Sequence, residues 1–224
     1  MTTPTDEKTI KVVLVEDHRM FREWLGQMIC QEGEFEICGE ADNIRDALSL
    51  IKKAKPDIAI VDITLRGGSS GLELIKDLKA HGLSVPVLVL SMHDEELYAE
   101  RVLRAGAKGY ITKHEATSTL TKAIKQVLDG QVYLGEKMTA AILSKMTGQR
   151  TQAANYGVDT LADRELEVFQ LIGRGFNARK IAEQLHLGAT TVETYRARIK
   201  EKLGLKNAAE LYSRAAQWVQ EHAE

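Results

Sequence analysis

From Ile10 to Gly130, short apolar runs alternate with stretches whose apolar residues recur every three or four positions. The runs are Ile10 to Val15, Phe35 to Gly39, Ile58 to Thr64, Val85 to Leu90 and Gly109 to Thr112. They are too short for helices and rich in β-branched residues, so they read as strands. Between them, Arg19 to Gln31 carries Phe21, Leu25, Met28 and Ile29 at helical spacing, with Gly33 as its stop. Asn43 is placed to N-cap a helix through Ala54, with Ala47, Leu50 and Ile51 inward, before Pro56 breaks the chain. Leu72, Ile75 and Leu78 line a third helix that ends at Gly82. Glu95 to Ala105 is a fourth, with Leu97 and Val102 inward, and Leu120, Ile124 and Val127 mark a fifth that ends at Gly130. Five strand–helix units with right-handed crossovers predict an α/β fold with a doubly wound parallel sheet. The most apolar run, Ile58 to Val61, is expected at its centre, buried on both faces. Asp62 then sits at a carboxyl strand end, where open sheets of this kind place their ligands.

Beyond Gly130 the pattern changes. Val132 to Met146 predicts one more helix, with Met138, Ile142 and Met146 on one face, and the polar, small-residue stretch Thr147 to Gly157 reads as a flexible linker. From Asp159 onward no strand is predicted. Asp163 is placed to cap a helix with Leu166, Phe169 and Ile172 inward, and Glu165 and Glu167 suit its positive end. Ala178 to Leu185, a tight turn at His186 to Ala189, Thr190 to Leu203 and Ala208 to Val219 complete an all-α unit of four helices. The expected division is 1–131, a connecting helix and linker at 132–158, and 159–224.

A chain of 224 residues is long enough for two cores. Its net charge of −2 does not demand nucleic acid or membrane as a whole. Cys30 and Cys38 lack metal spacing and read as small core fillers in a reducing compartment. The polar N-terminus lacks the apolar core of a signal peptide, and no apolar run approaches the ~20 residues a membrane helix needs. The expected location is the cytoplasm.

Four polar sites fall at carboxyl strand ends: Glu16-Asp17, Asp62, Ser91 and Lys113. Asp62 taken alone reads as well as a turn cap. Three carboxylates in one crevice, however, repel unless a cation neutralises them, and oxygen donors at an open site suit Mg²⁺. A lysine and a hydroxyl beside them can hold the oxygens of a phosphoryl group taken up by a carboxylate nucleophile. On these residues the stretch Ile10 to Gly130 resembles a receiver domain of the two-component response regulators. The resemblance implies a flavodoxin-like strand order 2-1-3-4-5, an acidic pair at Glu16 and Asp17, and the phosphoacceptor at Asp62. It further implies a switch hydroxyl at Ser91, a switch aromatic at Tyr110 that turns inward on phosphorylation, and the family lysine at Lys113. Mg²⁺ would be held by Glu16, Asp17, Asp62 and the backbone carbonyl of Thr64. Two positions depart from the family pattern. His114 follows the lysine where proline is common, so a trans bond is expected. Arg66 stands where many receivers have proline, in a loop from Leu65 to Gly71 that is one residue longer than usual.

In the last unit, two helices across a short glycine-containing turn fit a helix-turn-helix, and equally a small bundle. Charge separates the two. Between Arg174 and Lys206 eight basic side chains stand against three acidic ones, a footprint for phosphates. Leu161-Ala162-Asp163-Arg164-Glu165, Gly175, Lys180-Ile181-Ala182, Leu185, Thr191-Val192-Glu193, Arg196 and Lys202-Leu203-Gly204 resemble the LuxR-type helix-turn-helix of the NarL/FixJ class. The resemblance implies that Glu193, Thr194 and Ala197 face base edges and that Thr191, Arg196, Arg198 and Lys202 contact the DNA backbone. The alternative for Glu193 and Lys202 is a solvated helix face. Together these features predict a regulator phosphorylated by a sensor histidine kinase, binding double-stranded promoter DNA and pairing as a homodimer when phosphorylated or on DNA. Leu211, Ala215 and Trp218 on the last helix either pack at home or meet a twin. A haloacid dehalogenase-like phosphatase would carry a second Asp two residues after the nucleophile, where this chain has Thr64. The expected activity is therefore at most self-phosphorylation and self-dephosphorylation. An interaction module that has lost phosphorylation is disfavoured by the intact polar set.

Overall fold

The computed structural model describes residues 9–31, 33–65, 70–92, 95–136, 138–140 and 157–221. The described residues fall into two compact units, 9–140 and 157–221.

The first unit carries β1 (Ile10–Val15), α1 (Arg19–Cys30), β2 (Phe35–Ala41), α2 (Ile44–Ala54), β3 (Ile58–Asp62), α3 (Gly71–Ala80), β4 (Val87–Ser91), α4 (Glu95–Ala105), β5 (Gly109–Thr112) and α5 (Ala116–Leu128). All strands are parallel, in the order β2-β1-β3-β4-β5. Side chains alternate across a sheet, so Val12, Leu14, Ile58, Ile60, Leu88, Leu90 and Ile111 share one face. There they pack with Leu25 and Ile29 of α1 and Leu120, Ile124 and Val127 of α5. Helices α2, α3 and α4 pack in succession on the other face. All five residues of β3 are buried, as the apolar run predicted for a central strand.

Asn43 caps α2 by accepting from the Asp46 backbone N–H at 2.9 Å, a bond whose loss typically costs ~1 kcal/mol. Ser70 caps α3 in the same way through Leu72 N–H. After α5 the chain returns to β5, where Tyr110 N–H donates to the Tyr133 carbonyl at 3.0 Å and Tyr133 N–H donates to Lys108 at 2.9 Å. Tyr133 is therefore extended rather than helical, and among the described residues of this stretch helix is present at 136 and 138–140. Ile142, Met146 and the predicted linker up to 156 lie outside the described residues, as do Arg66 and the side chain of Leu97.

Three strand boundaries differ from expectation. β4 begins at Val87, because Pro86 has no N–H to give a ladder. β2 runs on to Ala41 through a bulge that skips Cys38. β3 stops at Asp62, while Thr64 makes a lone antiparallel bridge with Ser70. The cysteines are not core fillers: Cys30 is exposed and Cys38 half-buried.

The second unit opens with a 3₁₀ turn at Val158–Thr160, then α6 (Asp163–Gly173), α7 (Ala178–Gln184), α8 (Ala189–Lys202) and α9 (Ala208–Glu221). The N-cap of α6 is Ala162, not Asp163. With no side-chain acceptor there, the Glu165 carboxylate reaches back to Ala162 N–H at 2.7 Å. Gly173 lets α6 lie against α9, since a Cβ there would stand 2.3 Å from the Ala215 carbonyl oxygen. Phe169 meets Trp218 edge-on, ring centroids 5.8 Å apart. Leu211, Ala215 and Trp218 are all buried, so this face of α9 packs at home and is not available to a twin.

Candidate functional site

Parallel strands end side by side, and the polar residues at or just past the ends of β1, β3 and β5 converge. The Lys113 ammonium lies 2.6 Å from Glu16 Oε2 and 2.7 Å from Asp62 Oδ2. Glu16 Oε1 accepts from His18 N–H at 3.0 Å, and Asp62 Oδ1 from Thr64 N–H at 3.2 Å. Carboxylate oxygens of Glu16, Asp17 and Asp62 come within 4.8 Å of one another. Ser91 is buried at the end of β4, and its carbonyl accepts from Lys113 N–H at 2.8 Å. The Lys113–His114 bond is trans.

The electrostatics follow from burial. Glu16 and Asp62 share one ammonium, and the Asp17 carboxylate stands beside them. Removal of water pushes the Asp62 carboxyl up to about 7; Lys113 opposes that rise only in part, and Glu16 adds to it. Burial works against the charge on Lys113, but Asp62 and Glu16 together outweigh it and hold its pKa above the ordinary value.

Three neighbours escaped sequence reasoning. Phe21, which periodicity assigned to the core, also places its ring 4.5 Å from the Lys113 ammonium. Arg22 donates to the Glu16 backbone carbonyl and, at 2.9 Å, to Glu40 Oε2 at the end of β2. Spacing gives no signal for it, since Arg22 lies among the polar positions of α1. The third is Gly71, whose N–H donates to the Ile63 carbonyl at 2.7 Å and whose position admits no Cβ. Tyr110 is already fully buried, so the expected inward turn has no outward starting point here.

In the second unit, α7 and α8 meet across a turn in which His186, rather than Gly188, takes the left-handed conformation (φ 53°). Val192 and Ile199 hold α8 to the core. Thr190, Thr191, Thr194, Ala197 and Arg198 lie together on its exposed side, with Glu193 beside them. Two of the expected backbone contacts are also engaged within the unit. Lys202 pairs with the buried Glu165 at 2.6 Å. Arg196 pairs with Glu193 at 2.6 Å and donates to the Tyr212 hydroxyl at 2.9 Å. Neither Glu193 nor Lys202 is a bare solvated charge.

Residues 12–125 match the family model described as response regulator receiver domain, and residues 159–215 the one described as bacterial regulatory proteins, luxR family. The oxygen regulatory protein NreC of Staphylococcus carnosus (strain TM300) is 32% identical over 205 residues, covering 90% of this chain and 94% of that one. The chain belongs to the two-component response regulators, in the NarL/FixJ class. A LuxR-family response regulator from Aurantimonas sp. SI85-9A1 shares 27% identity at a TM-score of 0.58, over 62% of this chain and 99% of that one. RcsB of Salmonella enterica serovar Typhimurium, solved on promoter rprA with the phosphomimetic BeF3−, shares the fold at 22% identity and a TM-score of 0.59, over 93% of this chain and 98% of that one. A receiver joined to a LuxR-type helix-turn-helix makes this response regulator a phosphorylation-controlled, DNA-binding transcription regulator. Among the described residues no helix is long and apolar enough to cross a membrane.

Proposed function

We propose that Asp62 accepts a phosphoryl group from a phosphohistidine of a sensor kinase, and that this controls binding of double-stranded promoter DNA through α8. The observation that carries the reading is the cluster of the Glu16, Asp17 and Asp62 carboxyl groups, two of them on Lys113, so that three acidic groups face one ammonium. That excess of oxygen donors suits a hard divalent cation. Glu16, Asp17, Asp62 and the Thr64 carbonyl would hold Mg²⁺, which supplies positive charge to the phosphoryl oxygens when bound. An Asp62 oxygen forms the new P–O bond as the P–N bond of the donor breaks, and the departing imidazole keeps the electron pair. Lys113 exchanges its carboxylate contact for a phosphoryl oxygen, and Ser91 gives that oxygen a hydroxyl donor. Asp62 is consumed once per event and water later releases the phosphate, so the protein is a switch rather than an enzyme that turns over outside substrates. Tyr110 acts from its buried position by packing beside Ser91's strand.

On DNA, Glu193, Thr194 and Ala197 face bases while Thr191 and Arg198 contact phosphates. Lys202 is reassigned to holding α8 on α6 through Glu165. The functional division is a receiver over 1–131, a connection over 132–158 and a DNA-binding domain over 159–224. The protein works in the cytoplasm as a homodimer on adjacent half-sites, where linkage raises the effective concentration of the second domain.

The test is acid-labile labelling by a small phosphodonor with Mg²⁺. The wild-type protein is expected to label and Asp62→Asn to fail while remaining folded. Undiminished label on Asp62→Asn overturns the assignment.

A further inference from the structure

A carboxylate on a groove-facing helix presents a physical problem. It stands among DNA phosphates, which repel it, and an exposed glutamate samples many rotamers. Glu193 is 57% exposed by side chain, yet it is not loose, because Arg196 grips its Oε1 at 2.6 Å. Arg196 in turn is only 15% exposed. Its second terminal nitrogen donates to the Tyr212 hydroxyl at 2.9 Å, and its guanidinium lies 5.2 Å from the centroid of the Tyr212 ring. Tyr212 belongs to α9, a helix that Leu211, Ala215 and Trp218 anchor in the core. A chain of contacts therefore runs from the fixed helix α9, through a planar cation, to one carboxylate on the exposed side of α8.

We propose that Tyr212 is a positioning residue for base readout, setting through Arg196 the place of the Glu193 carboxylate. This rests on the reading that α8 enters the major groove. The pair leaves Glu193 Oε2 outside the Arg196 contact. A fixed carboxylate oxygen in the major groove selects an exocyclic amino group, with cytosine N4 as the usual partner. Arg196 offsets the charge that would otherwise repel phosphates, and the aromatic ring and hydroxyl hold its flat guanidinium in one plane. Arg196 on this account does not reach DNA. It acts through Glu193, and Tyr212 acts through both.

The experiment uses the full-length protein at fixed salt on a duplex it has itself selected from a random pool. Dissociation constants are then measured on every single-base-pair variant of that duplex. Glu193→Gln is expected to reduce discrimination at one base pair about tenfold. Tyr212→Ala should reproduce most of that loss at the same base pair. Tyr212→Phe, which keeps the ring and removes only the hydroxyl, should give roughly a threefold loss there. Affinity for non-specific DNA and its salt dependence should stay unchanged in the two Tyr212 variants, whereas a merely structural role would weaken every sequence alike. If both Tyr212 variants keep wild-type discrimination, or lose affinity uniformly, the proposal falls. If Glu193→Gln alters no base preference, it also falls, and Thr194→Ala then separates the two levels. A shifted preference in Thr194→Ala keeps α8 in the groove, and no shift removes that reading as well.

Discussion

Gly71 begins α3 directly against the acceptor strand, and replacing it with alanine perturbs the site without touching any charged residue. The added Cβ would stand 2.1 Å from the Asp62 carbonyl oxygen and 3.0 Å from Val61 Cγ1. Carbon and carbonyl oxygen normally keep about 3.3 Å or more apart, so the start of α3 and the end of β3 must separate by roughly 1 Å. The obstacle is backbone, and no rotamer change relieves it. Overpacking of this kind costs about 1–3 kcal/mol, and loss of the bond from Gly71 N–H to the Ile63 carbonyl about 1 more. The better helix propensity of alanine returns at most ~1 kcal/mol. The expected net loss is therefore about 1–3 kcal/mol. Each unit holds one tryptophan, Trp24 and Trp218, so urea unfolding in a Trp218→Phe background reads the receiver alone. A shift of that size at the acceptor can slow positioned chemistry by up to ~100-fold, so uptake from a small phosphodonor should drop at least about tenfold. Gly82→Ala is the control: its φ of +66° makes alanine strained, but nothing lies within 4 Å of its Cβ. It should lose stability and keep its uptake rate. If Gly71→Ala unfolds within about 0.5 kcal/mol of wild type and labels at the wild-type rate, the close approach is not what the site depends on.

Burial raises the Asp62 pKa from 3.8 to about 7, so the folded protein holds this proton more tightly than the unfolded chain does. Its contribution to stability is full below the unfolded value and is lost as pH rises through about 7. A divalent cation needs the ionised form, so Mg²⁺ affinity measured by calorimetry should rise roughly tenfold between about pH 6 and 8; an affinity equally flat in wild type and Asp62→Asn would contradict this. Arg198→Ala should weaken all DNA sequences alike and lower the salt slope by roughly 1. Lys202→Ala should instead lower the thermal midpoint of the DNA-binding unit, because it leaves Glu165 buried without its ammonium. A salt-slope change in Lys202→Ala with no loss of midpoint would return Lys202 to the phosphate contacts.

How much of this was legible in the chain depended on range. The period-2 and period-3.6 patterns located α4 and β5 to the residue, because apolar periodicity is a local signal. The convergence of Glu16, Asp62 and Lys113 was legible because parallel strands must end together. What stayed hidden depended on partners distant in sequence. Glu165 looked like a helix-dipole residue and is a buried anchor for Lys202, 37 residues away. Arg196 reads as a phosphate contact in the sequence, and its partner Tyr212 lies 16 residues on. Asp163 looked like a cap because Asp is a good one, yet one residue of offset gave that place to Ala162. Backbone crowding, as at Gly71, leaves no trace in a hydropathy pattern.

The return of the chain at Tyr133 has a consequence for behaviour at high concentration. A five-stranded open sheet has two flanks of unpaired N–H and C=O groups, and such flanks recruit strands from other molecules. Here the flank beside β5 is occupied by the two bonds that join Tyr133 to Lys108 and Tyr110. Gly109 permits the approach, since a Cβ there would lie 3.1 Å from the Tyr133 carbonyl oxygen. The flank beside β2 is bent by the bulge at Cys38 and carries Glu36 and Glu40. Neither side offers a straight, uncharged ladder, so the receiver resists growing edge to edge into ordered aggregates, and the stretch that leaves it toward the DNA-binding unit doubles as a guard against polymerisation.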